Sequence, residues 1–301
     1  MVRISDRTET MTVMKEYLGT SLLAPRRTPY REIFVSRISG SAPLMAGHFR
    51  DSMLASWEQD GVTEILFEDP HGEDVQVYLS RNYQEAVFEG ETGIPYSDWE
   101  SGEPVQAMEA AGFQIRYTWE RGGGARAGDS CLVLDPGLAF GTGHHPSTRQ
   151  SLALLRAAFE TGPRPRTVLD LGCGSGVLSV AAAALGAQSV IAVDYSLVAA
   201  HAARMNAQLN RADHCVRVIH GDAFDNLERG ADLALCNLNH TLIKKLLARS
   251  HLLKTARLIL SGIHSRDRFD EIRGACEGAG FGILATERQG PWFSCLCAAR
   301  G

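Results

Sequence analysis

Beyond residue 130, short apolar runs of five or six residues alternate with segments whose apolar positions return every three or four residues. This is the pattern of buried strands separated by amphipathic helices. The runs at 167–171, 189–194, 216–220, 232–236 and 257–261 read as strands. The stretches between them, at 177–185, 197–209, 241–250 and 266–279, read as helices. Near the end the rhythm changes, because 281–288 and 292–298 are two strand-like runs joined by Gly290-Pro291. A hairpin is antiparallel, so the last strand must run against an otherwise parallel sheet. The prediction over 131–301 is therefore an α/β domain with a doubly wound, seven-stranded sheet.

The first 130 residues are less regular. Residues 1–29, with Pro25-Arg-Arg-Thr-Pro29, show no sustained period and read as an arm. Residues 30–38 are β-rich. Within 42–60, Met45, Phe49, Met53 and Trp57 stand four apart, as on one helix face, and 62–67 reads as a strand before the turn Asp69-Pro-His-Gly72. Residues 75–79 alternate and read as another strand. Strand, helix, strand, strand is half of a small α+β sandwich of ferredoxin-like type, placed at 30–100 as an acidic module. A helix-like piece at 104–111, a strand at 113–119 and a flexible glycine loop at 121–128 follow. The boundary is expected between 95 and 130, with 101–130 as the linker region.

A chain of 301 residues that is 45% apolar can bury a sizeable core. Its longest apolar stretches, such as 176–185, are about half of the roughly 20 residues that a membrane span needs. The opening Met-Val-Arg-Ile-Ser-Asp has no apolar segment of signal-peptide type, so a cytoplasmic protein away from membranes is expected. Seven scattered cysteines without Cys-x-x-Cys pairs agree with that compartment. Cys295 and Cys297 would share one strand face as core packing. The spacings of His144, His145, His240 and His264 match no common zinc pattern, so no metal is expected. The net charge is only −5, but residues 51–120 carry 2 basic and 16 acidic groups, a net of −14. Such a surface repels nucleic acid and suits a basic protein partner, although it also serves plain solvation.

The strongest local chemical signal is Val168-Leu-Asp-Leu-Gly172-Cys-Gly174-Ser-Gly176, a strand running through a glycine loop into a helix. Glycines let the backbone approach a ligand, and the helix start offers free N–H groups. The dinucleotide fingerprint is Gly-x-Gly-x-x-Gly, but here the third glycine comes one residue early and Val177 holds the expected place. That favours a ligand without pyrophosphate. Asp194 ends the second strand 22 residues after Gly172, where a carboxylate accepts from ribose hydroxyls; the competing role is a helix cap. Asp222 and Phe224 follow the third strand and could meet an adenine amine and face, or Asp222 could cap a turn. Asn237 ends the fourth strand near the switch point of the sheet. There it could accept a hydrogen bond from an amine and aim it, or simply bond backbone at the strand end.

The segment Leu134-Asp-Pro-Gly137-Leu-Ala-Phe140-Gly-Thr-Gly143-His-His145-Pro-Ser-Thr148 is a shaped loop leading into a helix. With the glycine loop and the asparagine strand, it resembles the ribosomal protein L11 methyltransferase family over residues 130–299. The resemblance implies a class I methyltransferase sheet that binds S-adenosyl-L-methionine, with an antiparallel last strand and a small amino-terminal domain for the substrate. Carried over by position, the family's cofactor contacts fall on Thr148, Gly172, Asp194 and Asn237, with Phe140 in the loop that closes over the cofactor; Gly174, Gly176 and Asp222 join the expected cofactor site from the residue reading above. Phe140 and His145 belong to the loop over the cofactor, and the catalytic positions would be Asn237 and His145. The implied reaction is N-methylation of lysine or amino-terminal amines of L11, a basic protein. The chain departs from the family at Asn239 and His240, which replace small or apolar residues and either bind a different acceptor or cap the next helix. Ser147 replaces a threonine and keeps the hydroxyl. The competing readings are a methyltransferase for a small molecule or another protein, and a nucleotide-binding protein of NAD-dependent or non-catalytic type.

Overall fold

The structure, a computed structural model, describes residues 30–40, 48–49, 52–59, 62–83, 85–100, 104–120 and 130–300. The arm at 1–29, Met45 and the loop at 121–128 lie outside the described residues. The chain divides into two units, residues 1–104 and 105–301.

The first unit contains β1 (Glu32–Ser39), β2 (Met53–Gln59), β3 (Val62–Phe67), α1 (Gly72–Asn82), β4 (Val87–Pro95) and the short α2 (Tyr96–Glu100). Its sheet has the order β2-β3-β1-β4 with every pair antiparallel. Two expectations are corrected here. Residues 53–59, expected in a helix, pair with β3 as a strand, and residues 75–79, expected as a strand, lie inside α1. One ambiguity explains both, because a spacing of four fits a helix face and is also an even number, as a strand face requires. Val75 and Leu79 are buried four apart, while Val77 between them is 48% exposed, which only a helix explains. Glu73 and Asp74 in the first turn and Arg81 in the last complement the helix dipole. Ile38, Phe49, Met53, Ile65, Phe67, Val75 and Leu79 form the core between sheet and helix.

The second unit begins with β5 (Met108–Ala110), β6 (Phe113–Tyr117) and β7 (Cys131–Leu134), a three-stranded sheet in that order. Residues 108–110, expected as helix within a linker, instead form a tight antiparallel hairpin with 113–115. Then come α3 (Pro146–Glu160), β8 (Thr167–Leu171), α4 (Val177–Ala184), β9 (Ser189–Asp194), α5 (Leu197–Leu209) and β10 (Val216–His220). The remainder is a 3-10 turn (Ala223–Arg229), β11 (Ala231–Asn237), α6 (His240–Ala248), β12 (Thr255–His264), α7 (Arg266–Gly278), β13 (Phe281–Gln289) and β14 (Trp292–Ala299). The large sheet has the order β10-β9-β8-β11-β12-β14-β13, parallel except for β14, which runs against both neighbours. Successive residues of β8 serve opposite layers. Val168 joins the core under α3, α4 and α5, whereas Leu169 and Leu171 join the core under α6 and α7. Cys295 and Cys297 face the latter core, with Cys297 Sγ 3.6 Å from Cys295 and 3.9 Å from Cys276. Strand order reverses at β8, so the carboxy ends of β8, β9 and β11 border one crevice, the usual ligand position in an open α/β sheet. Among the described residues no helix is long and apolar enough to cross a membrane.

Candidate functional site

Three glycines carry the chain from β8 into α4, and a different neighbour crowds each. A Cβ added at Gly172 would lie 2.5 Å from Leu238 Cδ2, at Gly174 2.3 Å from the Phe140 carbonyl oxygen, and at Gly176 2.9 Å from Ala203 Cβ. All three have positive φ. The 134–148 loop is stitched onto this turn, because Ser175 N donates to Phe140 O at 2.7 Å and Ser175 Oγ to Gly141 O at 2.6 Å. From α5, the buried Asn206 carboxamide accepts from Asp135 N and donates to Ser175 O, tying both loops to one helix. Phe140 keeps 43% of its surface exposed, so its ring is available at the mouth.

Asp194 faces the glycine turn. Gly174 N donates to its Oδ2 and Ser196 N to its Oδ1, both at 2.8 Å. The cap of α5 is Ser196, which accepts from Ala199 N, so the carboxylate is fixed without capping the helix. Its remaining lone pairs are available to two hydroxyls. Burial raises the Asp194 pKa, and the two backbone bonds oppose that rise. Asp222 does cap a turn, since it precedes the 3-10 segment and accepts from Phe224 N at 2.8 Å. The Arg249 guanidinium covers one face of Phe224 at 5.1 Å.

Thr148 lies in the first turn of α3, fully buried, and its Oγ1 has no hydrogen-bond partner among the described residues. A buried hydroxyl is costly unless something bonds it, so this orphan and the glycine cradle fit a polar ligand that enters the crevice. His145 caps α3, its Nδ1 accepting from Ser147 N at 3.2 Å, and Ser147 Oγ also lies 2.8 Å from that nitrogen. Burial lowers its pKa and favours the neutral ring. The ring meets Phe140 edge-on at 5.2 Å and Trp292 at 4.5 Å, and Trp292 in turn meets His264 at 4.9 Å. These aromatic groups wall the carboxy edge of the sheet.

Asn237 bonds the Ser261 side chain of the neighbouring strand at 2.9 Å. Asn239 Oδ1 accepts from Leu242 N and caps α6. His240 Nε2 lies 3.2 Å from Glu271 on α7, which also binds Lys244 at 3.0 Å. Among the described residues no group of three or more histidine, cysteine or acidic side chains is arranged to hold a metal.

Sequence reasoning passed over Asp170, Ser151, Asn206, Ser261 and Trp292. Asp170 could have been found, as the one charge inside an apolar strand. It is buried beneath the glycine turn, accepts from Ser179 Oγ at 2.6 Å on Oδ2, and has no partner on Oδ1 among the described residues. Burial pushes its pKa from 3.8 up to about 7; the Ser179 bond opposes this and the charge of Asp194 adds to it. The native state therefore holds this proton where the unfolded chain has lost it. The stability so gained is complete below pH 3.8 and disappears as pH rises through about 7. Asp170→Asn is accordingly expected to be more stable than wild type at pH 8, by on the order of 2 kcal/mol, with the advantage shrinking toward pH 5. Thermal melts at both pH values test this, and a difference independent of pH contradicts the burial argument.

The family model for ribosomal protein L11 methyltransferase (PrmA) matches residues 92–300. Curated ribosomal protein L11 methyltransferases from Streptococcus pneumoniae and Streptococcus agalactiae are 38% and 37% identical over 174 residues. Each alignment spans 57% of this chain and 54% of the relative, so the chain spans about half the length of the curated relatives it matches. The crystal structure of ribosomal protein L11 methylase from Lactobacillus delbrueckii subsp. bulgaricus aligns with a TM-score of 0.57 and 28% identity. That alignment covers 65% of this chain and 100% of the other. With the glycine turn, the acid on β9, the asparagine on β11 and the reversed last strand arranged as above, the chain belongs to the ribosomal protein L11 methyltransferase family.

Proposed function

We propose that this protein transfers methyl groups from S-adenosyl-L-methionine to amines of a basic protein substrate, ribosomal protein L11, in the cytoplasm. The observation that carries the reading is the glycine turn after β8 with the Asp194 carboxylate anchored against it at the carboxy edge of the sheet, supported by the orphan buried hydroxyl of Thr148 at the start of α3. When bound, the cofactor supplies a methyl group already activated by its sulfonium. Asp194 would accept from the ribose hydroxyls, while its own carboxylate stays fixed by two backbone N–H groups. Thr148 Oγ1 would find its missing partner on the ligand, Gly172, Gly174 and Gly176 would turn the backbone past it with their positive φ angles, and Phe140 would cover it. Asp222 and Phe224 would border the base. Asn237 would accept a hydrogen bond from the acceptor amine and align its lone pair, a contribution of orientation. A lysine amine, which in water loses its proton only near pH ~10.4, must also shed that proton before it attacks. His145 is neutral and engaged as a cap, so its part is to order the loop and, with Phe140 and Trp292, to keep water out.

The acidic stretch 51–120 supports a basic partner through its field. A second reading, another basic protein as acceptor, is favoured by the start of the family match at residue 92, which leaves nearly all of the first unit outside it.

The cofactor assignment is tested by thermal shift. S-adenosylhomocysteine at about 100 times its Kd should stabilise the fold by about 2.7 kcal/mol while NAD does nothing. Stabilisation by NAD alone would instead support an oxidoreductase. Asn237→Ala should lower kcat by about 30-fold and leave S-adenosylhomocysteine affinity within about twofold. Equal losses in both would remove the acceptor-aligning role.

A further inference from the structure

Asn237 sits at the end of a short chain of buried hydroxyls, and counting the hydrogens along that chain determines which way its carboxamide points. Three contacts lie in series. Ser151 Oγ is 2.8 Å from the Ser147 carbonyl oxygen, Ser151 Oγ is 2.5 Å from Ser261 Oγ, and Ser261 Oγ is 2.9 Å from the oxygen position of the Asn237 side chain. Both serines are fully buried, at 1% and 0% exposure, so water does not complete the chain. Each contact requires one hydrogen, and each hydroxyl owns one. The carbonyl of Ser147 has none to give, so the Ser151 hydrogen goes to it. The Ser151–Ser261 contact then takes the Ser261 hydrogen. Nothing is left for the third contact unless Asn237 supplies it, which places Nδ2, not Oδ1, against Ser261.

The two ends of a carboxamide have the same shape, and only the hydrogen-bond network distinguishes them. With Oδ1 turned inward the chain has two hydrogens for three contacts, leaving two oxygens pressed together unbonded inside the protein, which is costly. With Nδ2 turned inward each contact has its hydrogen, and Oδ1 faces the crevice. Local backbone geometry supports the contact. Ser261 is paired with Asn237 across β11 and β12, and the register between β12 and β14 shifts between Leu260 and Ile263. An irregularity of that kind beside a site re-aims a side chain.

We infer that Ser261 and Ser151 are positioning residues that hold the Asn237 carboxamide with Nδ2 inward and Oδ1 toward the methyl acceptor. The inference rests on the proposed role of Asn237 and deepens it. An outward oxygen accepts and cannot donate, so the site takes an acceptor that carries its own N–H, and an amine meets that demand where a carboxylate does not.

The orientation is read without turnover by neutron diffraction from deuterium-exchanged crystals of the full chain with S-adenosylhomocysteine. Two deuterons on the Asn237 atom nearest Ser261 Oγ are expected, and finding the oxygen there overturns the inference. Kinetics on L11 supply the second arm. Ser261→Ala and Ser151→Ala should each lower kcat about fivefold, with S-adenosylhomocysteine affinity within about twofold of wild type. The double variant should lose little more than either single one, because both break the same chain. Ser261→Thr, which keeps the hydroxyl, should recover most of the rate. Unchanged kcat in both alanine variants, or parallel loss of cofactor affinity, would overturn the positioning role. If wild type methylates nothing on L11, the functional reading fails by itself, while the neutron arm still decides the orientation.

Discussion

Asp194→Ala is expected to weaken S-adenosylhomocysteine binding by about 100-fold or more. Each hydrogen bond from a ribose hydroxyl to the carboxylate is charge-assisted, worth roughly 1.5–3 kcal/mol, and two of them exceed the 2.8 kcal/mol or so that corresponds to a factor of 100. The loss goes beyond those bonds. Gly174 N and Ser196 N both donate to this carboxylate, so its removal also frees the glycine turn that should receive the ligand. Folding should suffer less than binding, because the charge is itself held at a cost, as its raised pKa shows. Asp194→Asn is no rescue, since its NH2 would face one of two backbone N–H groups. Calorimetry decides, and an affinity unchanged from wild type would remove Asp194 from the cofactor site.

Gly174→Ala should be comparably severe for a steric reason. Its Cβ would lie 2.3 Å from the carbonyl oxygen of Phe140, a backbone atom that Ser175 N holds at 2.7 Å. No rotamer change relieves this, so either the glycine turn or the 134–148 loop must move away from the other. The expected result is a stability loss of about 2–4 kcal/mol and about 100-fold weaker cofactor binding. Gly137→Ala is the control, because that residue shares a positive φ yet nothing lies within 4 Å of its added Cβ. It should cost only about 1–2 kcal/mol of backbone strain and leave binding alone. Equal behaviour of the two variants would show that the close approach at Gly174 is unimportant.

The carboxy-terminal unit was legible because its strands are short, β-rich segments set between stretches of helical period, so 167–171, 189–194 and 216–220 coincide with strands to the residue. The amino-terminal unit was not, since its apolar residues stand two or four apart, which helix and strand share. Met53 and Val75 were misassigned for that one reason; the pairing with β3 decides the first case and the exposure of Val77 the second. The candidate site divides similarly. Gly172, Asp194 and Asn237 sit at strand ends, where topology fixes position, whereas Thr148 came from resemblance to a family. Ser151, Ser261 and Asn206 carried no local signal. Their importance arises from contacts 110 residues apart for Ser151 and Ser261 and 71 for Asn206 and Asp135, which no window of sequence contains.

The measurement closest to the central claim is the intact mass of recombinant ribosomal protein L11 after incubation with this protein and S-adenosyl-L-methionine, with tandem fragmentation to locate any gain. The account predicts increments of whole methyl groups on lysine or amino-terminal nitrogen, largely lost with Asn237→Ala. An L11 mass that does not change, while S-adenosylhomocysteine still raises the melting temperature, would contradict the assignment of L11 as the acceptor.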